Sequence, residues 1–341
     1  MDFERGYRNL AERFGNGDLD RRHFLRSVAG AAMAAGLTGP LLSACAGGDD
    51  GPAVRFDGFG GVVQQSLQEP LFRAFTRATG TRIDQGSFAN SDELLTRIMA
   101  EGRQNFGYWE CGSEFDARRF ERSRLLMPID PKRVPRLADL LPKAVGAYRM
   151  DAQHLLGVPM TMTGLTIGYN SSKIDAAEVE AKGVQILLDQ RHGKVLMGED
   201  NWIKRIWYAA LQSGQDPNAI ADIDAVWAKI SESRAAVSRY WHTGAEQMQL
   251  FASGETWLSD AWLMRVHALQ KQKLPIASYQ APGLYLGFAA FAAIAGAPAD
   301  PLYQMIDILL RPEVLIAIAE TRGVPTALDP KKHQMPATIT A

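Results

Sequence analysis

The sequence predicts an α/β fold built in two blocks. Strand and helix signals alternate from residue 54 onwards, and a second run of alternation begins after GVPMTMTGLTIGYN, Gly157 to Asn170. Such alternation places parallel strands in a sheet with helices on its faces. An N-terminal leader, residues 1–44, stands apart from that fold.

The leader reads as an export signal. RRHFL begins at Arg21 and Arg22, an Ala/Gly-rich apolar run follows, and LSAC ends at Cys45. A charged start, a short apolar middle and a small-residue exit form a secretory pattern. The paired arginines point to the twin-arginine route. A membrane-spanning helix needs about 20 predominantly apolar residues, whereas this run is weakly apolar and broken by Pro40. LSAC resembles a bacterial lipoprotein box, which implies that Cys45 is lipidated and becomes the first mature residue. Residues 45–53 then read as a flexible tether.

The first block opens with a strand, Val54 to Phe59, and a glycine turn. Apolar residues at helical spacing predict a helix from Val62 to Thr79, stopped by Gly80. TRID is a second strand, Asn90 and Glu93 form a capping box for a helix through Met99, and FGYWECG holds a third strand. In the second block GKVLMG is a strand, followed by helices Trp202–Gln212, Ala219–Val237 and Gly244–Ala252. Trp257 marks a strand edge and Ala261–Gln270 a helix. GLYLGFAAFAAIAGAPA is a buried strand returning to the first block, and Pro301–Leu310 and Glu313–Glu320 close the chain, with Gly323 as the stop.

Bulk properties narrow the function. The 341 residues carry 37 basic and 38 acidic side chains, with no Lys/Arg-rich block, so nothing points to nucleic acid. The composition is 46% hydrophobic and 22% charged, as in a globular protein, and the mature length allows two domains. With Cys45 lipidated, Cys111 has no disulfide partner, so stability rests on the core.

Several segments together resemble one family over nearly the whole mature chain. GVPMTMTGLTIGYNSSKI (Gly157 to Ile174), RYWHTGAEQMQLFASGE (Arg239 to Glu255), LLMPID (Leu125 to Asp130) and Gly296 to Thr326 are similar, in order, to the solute-binding proteins of ABC importers, in the spermidine/putrescine-binding branch. The resemblance implies a two-lobed periplasmic-binding-protein fold with hinge strands and an interlobe ligand cleft. Residues 54–160 would form the first part of lobe 1, 161–288 lobe 2, and 289–341 the return to lobe 1. It also implies a monomer that binds one small solute, closes on it, and meets an ABC permease and its ATPase while anchored to the membrane in the periplasm. No cofactor or metal is implied.

Candidate ligand contacts follow strand ends. Phe59 and Gly60 lie just after the first strand, where glycines let a ligand approach backbone amides. Ser113 and Glu114 follow the third strand and could face the cleft or cap the next helix. Trp262 falls where the family packs a tryptophan on its ligand, with Ser259 and Asp260 at the same strand end. Trp202 follows Glu199 and Asp200, which match acidic contacts of the family.

The chain departs from the family at one point. Amine binders carry W-x-D in the returning strand, and alignment puts Gly287 and Ala289 there, so the carboxylate is absent. Lys204 and Arg205 fall near a further family carboxylate. An ammonium left unpaired in a closed cleft is unfavourable. These departures predict weak or no binding of putrescine and spermidine and a different small polar solute, for which an anionic group is one option. Glu114, Asp260 and Glu199 could instead pair an amine, so the ligand classes are a polyamine-like or another organic solute.

Other function classes find less support. No G-x-S-x-G elbow or H-E-x-x-H motif occurs. His242 and Glu246 sit four apart without a third ligand, and Glu199 and Asp200, being adjacent, point to opposite faces of a strand. A secreted hydrolase and the ligand-binding module of a membrane sensor are the alternative readings. For export, Arg21→Lys with Arg22→Lys is expected to leave precursor in the cytoplasm, and Cys45→Ser to release the protein from the membrane. Cell fractionation reads both, and membrane retention of Cys45→Ser would overturn the lipoprotein reading.

Overall fold

The computed structural model describes residues 52–192, 194–198 and 202–339. Arg21, Arg22, Cys45, Glu199 and Asp200 lie outside these residues.

Nine strands make one continuous sheet among the described residues. They are β1 (Ala53–Gly58), β2 (Arg82–Ser87), β3 (Tyr108–Cys111), β4 (Val158–Asn170), β5 (Val195–Gly198), β6 (Val237–Trp241), β7 (Leu258–Trp262), β8 (Ile276–Tyr279) and β9 (Leu286–Ala293). The order is β2-β1-β3-β9-β4-β7-β5-β6, with β8 also on β4.

The sheet has two halves that share β4. In the first half β1 runs parallel to β2 and β3, and β9 is antiparallel to β3. Residues 158–164 of β4 pair with β9, and residues 165–170 pair with β7 and β8 in the second half. There β5 runs parallel to β6 and β7. Thr161 faces Ala289 across the β4–β9 pairing. Each half has its own apolar core. Phe56, Leu71, Trp109, Phe120, Phe291 and Leu315 belong to the first, and Leu165, Ile167, Val195, Tyr208 and Leu258 to the second.

The elements depart from expectation where tertiary pairing overrides local pattern. The sheet is mixed rather than parallel, because β4 and β9 carry the chain out and back. The helix expected over Val62 to Thr79 is three pieces: Gly61–Gln65, a π-helical stretch Gln68–Arg73, and Ala74–Thr79. Pro70 has no N–H to give, and the amide of Phe72 reaches back to the carbonyl of Leu67 at 2.9 Å. The helix expected over Ala219–Val237 spans Ile223–Ser233, capped by the Asp222 side chain, since Val237 pairs with Val195 and starts β6. Residues 261 and 262 belong to β7, so the next helix is Leu263–Lys271. Strands β6 and β8 have no counterpart in the sequence reading. Helices Trp202–Gln212 and Gly244–Ala252 match it at both ends.

A buried ion pair ties the first half together. Arg322, the last residue of helix Pro312–Arg322, is 2% exposed. Its guanidinium donates to Glu110 Oε1 at 2.7 Å, Ser66 Oγ at 2.8 Å, the Val63 carbonyl at 3.0 Å and Thr161 Oγ1 at 3.2 Å. Breaking a buried pair from one side strands the other charge, a loss of about 3–5 kcal/mol. Arg322→Met is therefore expected to lower the urea midpoint by a stability loss of that order, read by circular dichroism; a loss within about 0.5 kcal/mol, ordinary for surface changes, would contradict the role.

Buried phenols set an alkaline limit. Burial pushes the Tyr108, Tyr148 and Tyr285 hydroxyls up from their ordinary value, and the neighbouring Glu114 carboxylate adds to the effect at Tyr285. A phenol whose folded pKa is raised gives stability that is whole below the unfolded value of about 10 and is lost as pH rises beyond it. Urea midpoints are expected to fall between about pH 9 and pH 11, and to fall less in Tyr285→Phe.

Candidate functional site

The ends of β1, β2, β3 and β7 point to one cleft. In open α/β sheets ligands sit outside the carboxyl ends of the strands, where loops and helix starts converge. The cleft holds about 660 Å³ of atom-free space, part of it open to solvent. Phe59, Asn90, Ser91, Glu110, Gly112 and Asp116 line it from the first half of the sheet. Gly244, Trp262, Met264 and Arg265 line it from the second, with Thr163 of β4 and Ala289 of β9 between them.

Local capping explains much of this wall. Asn90 accepts from the Glu93 amide at 2.9 Å, and the Glu93 carboxylate accepts from the Ala89 amide at 2.7 Å. Helix Ser91–Glu101 therefore starts at the cleft. Thr243 caps helix Gly244–Ala252 in the same way, its hydroxyl accepting from the Glu246 amide. The Glu246 carboxylate accepts from the His242 amide at 2.9 Å, so His242 and Glu246 form the capping arrangement of that helix. Helix Leu263–Lys271 begins directly after Trp262 and has no side-chain cap.

The structure sorts the residues expected at the site. Phe59 and Trp262 line the cleft; Phe59 packs edge-on against Phe88 with ring centres 4.7 Å apart. Gly60, at φ 64°, donates its amide to Gln64 Oε1 and borders a separate shallow depression. Ser113 is the N-cap of helix Glu114–Arg122 and lines a second, smaller cavity with Phe115, Lys204, Trp207 and Tyr285. Trp262 separates the two cavities. The Glu114 carboxylate accepts from the Tyr285 hydroxyl at 2.5 Å.

Two expected contacts are elsewhere. Trp202 is 53% exposed and meets the Arg119 guanidinium, 5.9 Å from its ring, rather than lining the cleft. Asp260 is 1% exposed and lies under the cleft wall. Its Oδ2 stands 3.4 Å from Lys204 Nζ, and its Oδ1 accepts from Trp241 Nε1 at 3.3 Å. Asp260 and Trp262 stand two residues apart on β7 and so share a face of the strand; Trp262, at the strand end, reaches the cleft, while Asp260, further back, is covered.

Lys204 completes that arrangement. Its ammonium sits 3.8 Å from the centre of the Trp241 ring and 5.9 Å from that of Trp262, with Asp260 beside it. Two indoles and a carboxylate are the groups that recognise an ammonium, and here the cation is the protein's own. Arg205 instead lies over Tyr240, at 5.3 Å. Gly287 has no room for a side chain: a Cβ there would stand 2.1 Å from the Tyr285 hydroxyl and 3.0 Å from Glu114 Oε2. The space beside Gly287 is thus filled by the Tyr285 hydroxyl and the Glu114 carboxylate.

The sequence reading missed Glu110, Asp116 and Arg265. Glu110 stands in a strand otherwise made of Tyr108, Trp109 and Cys111, and a carboxylate in so apolar a run is the signal that could have found it. Elsewhere, Glu178, Asp189 and His192 bring three metal-ligand types within 4.8 Å of one another, but Lys182 and Arg191 already pair with both carboxylates.

Comparison with known proteins agrees with this geometry. A spermidine/putrescine ABC transporter substrate-binding protein from Streptococcus pneumoniae shares the fold at a TM-score of 0.65 and 14% identity, over 84% of this chain and 86% of that one. The periplasmic binding protein MotA from A. tumefaciens B6, solved with glucopine, matches at 0.65 and 19%, over 78% and 81%. AgtB from A. tumefaciens R10, solved with agropinic acid, matches at 0.63 and 15%, over 79% and 81%. No curated protein matches by sequence. Residues 71–330 match the profile of a family described as bacterial extracellular solute-binding protein, and the chain belongs to that family.

Proposed function

We propose that the protein is the solute-binding lipoprotein of an ABC importer. It captures a small polar solute bearing an anionic group and hands it to a permease driven by an ATPase. Lipidated Cys45 holds it to the membrane in the periplasm after twin-arginine export of residues 1–44, and it works as a monomer without catalysis. The residue ranges 54–160, 161–288 and 289–341 are its lobe 1, lobe 2 and return to lobe 1.

One observation carries this reading: among the described residues a cleft is lined from both halves of a sheet that share β4, and the chain returns to the first half through β9. Two strands crossing between separate cores make a hinge, and rigid halves can close around a ligand by changing a few backbone angles. Phe59 and Trp262 supply its aromatic walls. Ser113, Glu114, Trp202 and Asp260 support the lobes rather than touch the solute, and Gly60 shapes the turn.

The charges around the cleft favour an anionic group over an amine. Glu110 pairs with Arg322, Asp116 with Arg119 at 3.6 Å, and Asp260 with Lys204. An incoming ammonium meets carboxylates whose charge is already balanced, and the aromatic cage that suits it holds Lys204. Of the structural relatives, two are named for spermidine and putrescine, and another was solved with agropinic acid; the charges around the cleft favour the second kind of ligand.

Titration calorimetry on the purified protein is expected to show no submicromolar binding of spermidine or putrescine, and such binding would overturn the anionic assignment. A solute that binds should shrink the radius of gyration in small-angle scattering. At 100 times its dissociation constant it should stabilise the fold by about 2.7 kcal/mol. A tight ligand that moved neither quantity would rule out closing lobes.

A further inference from the structure

We infer that the solute is a hydroxylated carboxylate, which presents an uncharged hydroxyl to Glu110 and its carboxylate to the opposite wall. This deepens the proposed function and rests on it.

The first end of the ligand is set by Glu110. The residue lines the cleft yet is 1% exposed. Its Oε1 accepts from Arg322, while Oε2 is buried with no hydrogen-bond partner among the described residues. A buried acceptor left without a donor is unfavourable, and a site shaped around such a group selects ligands that complete it. The kind of donor follows from charge. Arg322 already neutralises Glu110 at 2.7 Å. An ammonium on Oε2 would add an uncompensated positive charge to a buried site, and a second carboxylate would set acceptor against acceptor. A hydroxyl fills the lone pair without adding charge.

The other end is set by the second half of the sheet. Helices Gly244–Ala252 and Leu263–Lys271 both start at the cleft, through Gly244 and through Met264 and Arg265. Helix starts offer N–H groups and a partial positive charge that favour an anion. The Arg265 guanidinium stands on the same wall, packed so close to Gly244 that a Cβ there would lie 2.3 Å from Arg265 Nε. Phe59 and Trp262 leave apolar faces for the C–H surface of the ligand between its two ends.

A matched six-carbon series tests the assignment: gluconate, sorbitol, glucarate and glucamine, which differ only in their end groups. Calorimetry on the purified protein is expected to place gluconate at least tenfold tighter than the other three. Equal or tighter glucamine or glucarate would overturn the hydroxyl assignment at Glu110, and equal sorbitol would overturn the anion wall. Glu110→Gln keeps an acceptor for Arg322 but turns the other oxygen into a donor, and should weaken gluconate at least tenfold. Arg265→Gln, on a partly exposed wall residue, should do the same, and serves if Glu110→Gln folds poorly. Unchanged gluconate affinity in a folded variant would overturn the end it probes. If no member of the series binds while another solute closes the lobes, the hydroxy-acid class is wrong and the solute-binding reading stands. If no solute in a broad panel gives closure or a thermal shift, the binding reading falls and takes this inference with it.

Discussion

The Arg322–Glu110 ion pair is the constraint on which the first half of the molecule depends. It joins the end of a late helix to a strand 212 residues earlier, and the same guanidinium holds the Val63 carbonyl, Ser66 and Thr161. Those four partners lie on the short helix Gly61–Gln65 and its C-cap, on β3 and on the crossing strand β4. Replacing such a network by apolar residues can be neutral, but breaking it from one side is not. The geometry also leaves one carboxylate oxygen of Glu110 for the cleft. Glu110 thus anchors the first half through Arg322 and also lines the cleft.

The crossing strands determine where that site can be. Residues 158–164 of β4 belong to one half-sheet and residues 165–170 to the other, so the two cores are linked by backbone that runs through both. The parallel strands on each side end at the same opening. Helix starts therefore face it from both directions. Thr163 and Ala289, on the two bridging strands, floor the cleft.

Selectivity follows from which charges the protein has already used. The cage of Trp241, Trp262 and Asp260 has the composition of an amine site, yet Lys204 is inside it, buried to 1% exposure. The space that would receive an aromatic side chain at residue 287 is taken by the Tyr285 hydroxyl and the Glu114 carboxylate. Phe115 leans on the same spot, its ring centre 5.4 Å from Tyr285 and 5.8 Å from Trp207.

Local signals determined much of the chain. Helices Trp202–Gln212 and Gly244–Ala252, the Asn90–Glu93 cap and the stop at Gly323 follow from periodicity and capping within a few residues, so they were legible in the sequence. Phe59 and Trp262 fell at strand ends that reach the cleft. Tertiary structure alone decided the rest. The short strands β6 and β8 exist because neighbours pair with them, and the π-helical stretch absorbs Pro70 only because the apolar residues around it must meet one core. Asp260 turned inward, Lys204 entered the cage, and Glu110 met Arg322 through contacts far apart in sequence. No local pattern encodes such pairings, because their energy depends on burial and on partners that only the folded chain brings together.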